Sequence, residues 1–260
     1  MSSDVLERRF GAIGARLRVT GDRLGAPRID IASDRRGELF DLTFTGVGAP
    51  ADVDVVDVAP AERHLLLLVR EGETKSKFLC GHDERHWFVA AVPEAERGVR
   101  GVATAMAALQ PEPVRDAAAA VRRKDRFRRR NAAYLRQGEW YFVPAPGLRA
   151  DGALVLRDEP LSRGEGSKPH VLSEAFRRGG QTVYVRGGWA KPLTEAEHAA
   201  LPRNKRDAPG WRLMTRDPEL YARGTVRHSD HATIELRGWH RVLMNTEGRA
   251  NAMRHVAFLD

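Results

Sequence analysis

Residues 111–136 read PEPVRDAAAAVRRKDRFRRRNAAYLR, and the interpretation of this stretch decides how the rest of the chain is divided. Val114, Ala117, Ala118 and Val121 fall on one face at helical spacing. Pro111 and Pro113 suit a first helical turn, where a missing N–H costs nothing. Glu112 and Asp116 lie near the positive end of such a helix, and the cations gather toward its negative end. The stretch therefore predicts a helix over residues 112–136, about 37 Å long. Past Val121 it carries cations on most faces, which leaves Phe127, Tyr134 and Leu135 to dock it. Unpaired charge is too costly to bury. Arg122, Arg123, Lys124, Arg126, Arg128, Arg129 and Arg130 are accordingly expected to face solvent or an anionic partner.

Before this stretch the period is mostly two. Leu6, Phe10, Ile13 and Leu17 first mark one short helical face. From Arg28 onward side chains alternate through 28–31 and 39–45 around a turn at Asp34-Arg35-Arg36-Gly37, which reads as a hairpin. Segments 53–58, 65–69, 77–80 and 87–92, joined by short polar connections, predict an antiparallel meander. Val99, Val102, Met106 and Leu109 then return to helical spacing.

After the basic stretch the pattern is more broken. Strands are expected at 140–143, 153–156, 182–185, 225–228, 232–236 and 239–244, and a helix at 171–178. Thr194-Glu195-Ala196-Glu197 matches a capping box, and 202–210 reads as a charged loop. The expected architecture is α+β: an N-terminal, mostly antiparallel β domain (1–110), a basic connecting helix (111–136), and a mixed α+β domain (137–260) ending in β-hairpins.

Composition narrows the classes of function. The 260 residues carry a formal net charge of +8, with 43 Lys and Arg against 35 Asp and Glu, a balance that favours nucleic acid or another anionic surface. Cys80 is the only cysteine, so intramolecular disulfides and cysteine-cage zinc sites are excluded, and a buried structural thiol is expected. The longest aliphatic run, 65–69, is far short of the ~20 residues that span a bilayer. No apolar signal-peptide core follows Met1. A cytoplasmic protein without membrane association is expected.

Two histidine clusters are candidates for chemistry. Cys80-Gly81-His82-Asp83-Glu84-Arg85-His86-Trp87 offers His82 and His86, with Asp83 and Glu84, as metal ligands or as acid and base. It lies between two predicted strands, however, and off a helix residues i and i+4 do not share a face. Arg227-His228-Ser229-Asp230-His231 offers His228 and His231 as a metal pair or, with Asp230, as a general base. With Ser229-Asp230 as a two-residue turn, the two rings stand opposite each other. His170 and His240 are candidate third ligands. A second turn at Arg237-Gly238 would set Glu235 opposite His240. Arg163-Gly164-Glu165-Gly166-Ser167-Lys168 resembles a phosphate loop in composition, but it lacks Walker spacing and reads as a surface loop.

No zinc-finger, P-loop or RNA-recognition signature is present. The leading expectation is a nucleic-acid-binding protein, with RNA slightly favoured over DNA, held by arginine–phosphate contacts. One alternative is a histidine-dependent hydrolase or nuclease built on His228, Asp230, His231 and His240, with a divalent metal as the cofactor to test for. The other is an assembly subunit whose basic helix meets an acidic protein surface.

Overall fold

The computed structural model describes residues 1–25, 27–48, 50–163 and 167–247 as an α+β chain dominated by antiparallel strands. Helix α1 (Ser3–Gly11) buries Leu6 and Phe10, as their spacing predicts. Strands β1 (Leu17–Thr20), β2 (Pro27–Asp34) and β3 (Gly37–Phe44) form a sheet in the order β1-β3-β2. β1 runs parallel to β3, and β2 pairs with β3 as the expected hairpin. Strands β4 (Ala51–Ala59), β5 (His64–Glu71), β6 (Thr74–Asp83) and β7 (His86–Val92) make the expected meander.

One face of the meander packs on the small sheet and α1 through Phe10, Phe40, Leu65, Leu67 and Phe78. The other face, with Leu66, Leu79 and Ala90, receives Val102 and Ala105 of α2 (Val102–Ala108). β5 is thus covered on both sides, and Leu65, Leu66 and Leu67 are all fully buried. That is why its sequence is a continuous aliphatic run rather than an alternation. Truncating any of these leucines to Ala would cost about 2–5 kcal/mol.

The basic stretch corrects the expectation of one long helix. Helix α3 (Glu112–Ala118) buries Val114 and Ala118 against Tyr134 and Tyr141 and then stops, with a single 3-10 turn at Arg123–Asp125. Beyond Ala118 no apolar stripe remains to hold a helix on the body. Arg126 donates to the carbonyls of Ala119 and Val121, closing the helix end. Asn131 then fixes the loop. Its Nδ2 donates to the carbonyls of Asp125, Arg126 and Arg128, and its Oδ1 accepts from Ala133 N and Tyr134 N.

Strands β8 (Leu135–Gln137), β9 (Trp140–Pro144), β10 (Leu156–Leu161) and β11 (His170–Arg178) follow. β11 replaces the helix expected at 171–178. An irregularity between Leu172 and Glu174 lets Leu172 and Ala175 enter the same core, a three-residue spacing that imitates a helix. The Thr194 capping box forms as expected. Strands β12 (Gln181–Val185) and β13 (Leu193–Thr194) lead into α4 (Glu195–Ala199), with Thr194 Oγ1 and Glu197 exchanging their bonds. The charged segment after Pro202 contains a short helix, α5 (Arg203–Arg206), and runs on to β14 (Arg212–Arg216).

Strands β15 (Glu219–Arg227) and β16 (Ile234–Met244) complete a six-stranded antiparallel sheet in the order β10-β11-β15-β16-β9-β8. Strands β12–β14 form a separate three-stranded sheet, order β13-β12-β14. Two expected turns are corrected here. Arg237-Gly238 is a bulge inside β16, so Glu235 faces Thr225 while His240 faces Ala222. The connection between β15 and β16 spans residues 228–233 rather than Ser229-Asp230 alone. Of the Arg163–Lys168 loop, residues 164–166 lie outside the described residues. Among the described residues no helix is long and apolar enough to cross a membrane.

Candidate metal centre

His170, His228 and His231 converge. His170 is the first residue of β11, and His228 and His231 lie in the loop that joins β15 to β16, the next strands across the sheet. One ring nitrogen of each lies within 4.8 Å of the others, and among the described residues this is the only such group of three. The ring centroids are 4.2 Å apart for His170–His228, 4.7 Å for His228–His231 and 5.6 Å for His170–His231. Zinc–nitrogen bonds of about 2.0–2.1 Å place tetrahedral ligand atoms about 3.3 Å apart.

The chemistry of the donors fits a metal. His170 is 2% exposed, and neither of its ring nitrogens has a hydrogen-bond partner. A buried imidazole left so is costly, and a metal ion is one way to satisfy it. A Cβ on Gly138 would stand 3.0 Å from Nε2 of His231 and 3.4 Å from Nε2 of His170, so the two nitrogens face the same glycine, which has φ +56°. Nδ1 of His231 lies 3.8 Å from Oε2 of Glu84. Nδ1 of His228 accepts from Asp230 N, so its Nε2 carries the proton and donates to the Lys168 carbonyl at 3.2 Å. The Glu84 carboxylate behind His231 is the kind of outer partner that orients a metal-binding histidine, whereas both ring nitrogens of His228 are engaged and one must release its partner before that ring ligates. Burial, then the charges of His228 and His231, push the His170 imidazole down to about 3. Burial and His228 lower His231 as well. Both rings are therefore neutral, and ready to ligate, at neutral pH.

The remaining predicted residues fall in different places. Asp230 accepts from Lys168 Nζ at 2.9 Å, an ion pair that, ahead of other effects, holds its carboxyl low. His240 is buried, donates from Nδ1 to the Gly238 carbonyl and stands outside the three-histidine group. His82 packs edge-on against Trp87, and His86 bonds Oε1 of Glu38 at 2.6 Å. They pair with adjacent residues across the hairpin, Trp87 and Asp83, so their side chains leave on opposite faces and join no set of three ligands among the described residues.

The basic loop divides in two. Arg126 caps α3, Arg128 pairs with Asp125 at 3.1 Å, and Arg129 pairs with Asp83 and Glu84. Arg122, Arg123, Lys124 and Arg130 are exposed and have no ion-pair partner among the described residues. The Asp52–Asp57 segment does not serve this loop. Asp52 and Asp54 bind Arg70, and Asp57 accepts from Val102 N at the start of α2.

A cleft of about 580 Å³ holds the histidines, and its walls come from the meander, the basic loop and the six-stranded sheet. Phe127 lines it from the basic loop, Arg163 and Lys168 from the β10–β11 connection, and Glu139 and Glu247 from the far wall. Glu139 has no hydrogen bond or ion pair among the described side chains, and its charge acts on His231. Gly138, Glu139 and Glu247 were not singled out from the sequence, and Glu84 was read only as a companion of His82 and His86. Only the Gly138 turn, two residues from the aromatic run at Trp140, carried a local hint.

No protein-family model matches the chain, and the searches of curated proteins and of solved structures found no match.

Proposed function

We propose that the protein is a metal-dependent hydrolase of phosphodiesters, with a divalent ion, zinc by its ligand set, held by His170, His228 and His231. The observation that carries this reading is the convergence of three imidazoles, two of them with buried unpartnered nitrogens, in one cleft. Three protein ligands with a fourth position for water is the arrangement of catalytic rather than structural zinc. An ion held there would supply Lewis-acid activation of a water. Glu139 lines the cleft and its charge acts on His231, which suits it to hold a proton as the general base.

The nucleic-acid reading joins this one at the rim of the cleft. The loop that contributes Phe127 to the wall also carries Arg122, Arg123, Lys124 and Arg130, which suits a polyanionic substrate held by its phosphates. A cytoplasmic setting belongs to this proposal. An acidic protein partner is the reading to adopt if no nucleic acid binds at low salt.

The test is zinc stoichiometry and affinity, measured by competition with a chromophoric chelator, alongside hydrolysis of an oligonucleotide. Wild type should bind one zinc per chain. His170→Ala, His228→Ala and His231→Ala should each lower affinity at least about tenfold and abolish cleavage, while His240→Ala should leave affinity unchanged. Absence of zinc binding by folded wild-type protein, together with a blank nuclease assay, would sink the proposal.

A further inference from the structure

Away from the histidines the same cleft presents two more buried polar atoms without partners. Glu247 is 3% exposed; Arg163 and Asn245 both approach its Oε2, at 3.4 and 3.3 Å, the Ala91 amide also acts on the carboxylate, and no well-formed hydrogen bond closes on Oε1. His64 is 7% exposed and sits at the start of β5. Its Nδ1 lies against the carbonyl of Glu62, which can only accept, so the proton is on Nδ1 and the unpartnered Nε2 is a bare lone pair. Both residues line the cleft. Neither belongs to the three-histidine set.

The two atoms ask for the same thing, an incoming N–H or O–H. Apolar side chains line the same cleft. Phe88 meets the His64 ring edge-on at 5.5 Å, and Leu79, Ala90 and Met106 continue the surface. A ligand that fits must combine a planar apolar face with hydrogen-bond donors on its edge. An aliphatic substrate lacks the plane, and a bare phosphate lacks the donors. A cleft of this size admits one small molecule or one monomer of a polymer.

We infer that this end of the cleft is a nucleobase pocket, in which Glu247 Oε1 and His64 Nε2 accept from the exocyclic amine and ring N–H of a base stacked on Phe88. This deepens, and rests on, the reading of the cleft as a phosphodiester site. The phosphate would lie toward His170, His228 and His231, and the base toward β5 and β7. Because buried acceptors are left unpaired by the wrong base, the pocket discriminates by hydrogen bonding rather than by size.

Calorimetric titration of the zinc-loaded 260-residue chain with GMP and with IMP, which differ only at the exocyclic 2-amino group, tests this. GMP should bind at least about tenfold tighter. Glu247→Leu, which removes the acceptor, should bring the two within about twofold of each other while zinc occupancy stays at the wild-type level. Should Glu247→Leu fail to fold, His64→Phe replaces it with the same expectation. Equal binding of the two nucleotides, no nucleotide binding, or discrimination untouched by the variants would each overturn the inference. The parent reading is scored separately. Zinc bound without base discrimination removes only the pocket, and discrimination without bound zinc removes only the metal centre.

Discussion

Glu84 has φ +46°, a backbone region that side-chain-bearing residues occupy at a cost on the order of 1–3 kcal/mol. Its carboxylate accepts from Ala232 N at 2.8 Å, pairs with Arg129 and stands behind His231. Glu84→Ala should therefore loosen the His231 ring and lower zinc affinity about 10–100-fold, whereas Glu84→Gln, which keeps an acceptor for Ala232, should lose less. Chelator competition on both variants measures this; an unchanged affinity in folded Glu84→Ala would separate Glu84 from the centre. At this scale the sequence was partly legible. His228 and His231 announce themselves by proximity, and His170 could be named as a third ligand. Glu84 could not be assigned, because its partner Ala232 lies 148 residues away and it stands beside His82 and His86, which form a more obvious but unproductive set.

Among the elements, α4 shows how a local motif sets its own terms. The Thr194 amide, then Lys191 and the Thr194 hydroxyl, hold the Glu197 carboxyl down to about 2 from an ordinary 4.5. A depressed carboxyl stabilises the folded helix above its unfolded value and loses that contribution as pH falls from about 4.5 toward 2. Carbon-13 NMR titration of the Glu197 side chain should give a midpoint near 2 in wild type and a higher one in Thr194→Ala. A midpoint at the ordinary carboxylate value in wild type would mean that the capping box does not persist in solution. This element was readable because every residue that defines it lies within four positions. β11 was not, since its spacing is set by the irregular pairing with β15. The length of α3 was misjudged for a related reason. Periodicity registers the apolar face but not the Arg126 cap or the Asn131 side chain that redirects the chain.

Over the whole molecule, the net charge proves to be two populations rather than one. Arg126, Arg128 and Arg129 are engaged inside the protein, on a helix end, on Asp125 and on the carboxylate behind His231. Arg122, Arg123, Lys124 and Arg130 are left for an outside anion. Replacing these four with Gln should weaken binding of a single-stranded RNA oligonucleotide and flatten its salt dependence by about 0.7 in log–log slope for each phosphate no longer neutralised. Melting temperature and zinc affinity should hardly move. Arg129→Gln should do the reverse, and fluorescence anisotropy over a potassium chloride series distinguishes the two. A four-fold variant that binds RNA with wild-type affinity and slope would place the polyanion elsewhere. The antiparallel character of the fold and its basic balance were visible from composition and alternation. The joining of the two parts across one cleft was not, because no local pattern records which surfaces meet.

β14 closes the small sheet on one side only, and all five of its residues are exposed, Leu213 at 64% and Met214 at 51%. Such a rim is a template on which another chain can extend the sheet. In the register centred on Met214, a second copy approaching antiparallel would set its own Arg216 against Arg212, and the reverse, on either side of the apolar pair. In that register the guanidinium groups would repel each other and act as gatekeepers of a sticky border.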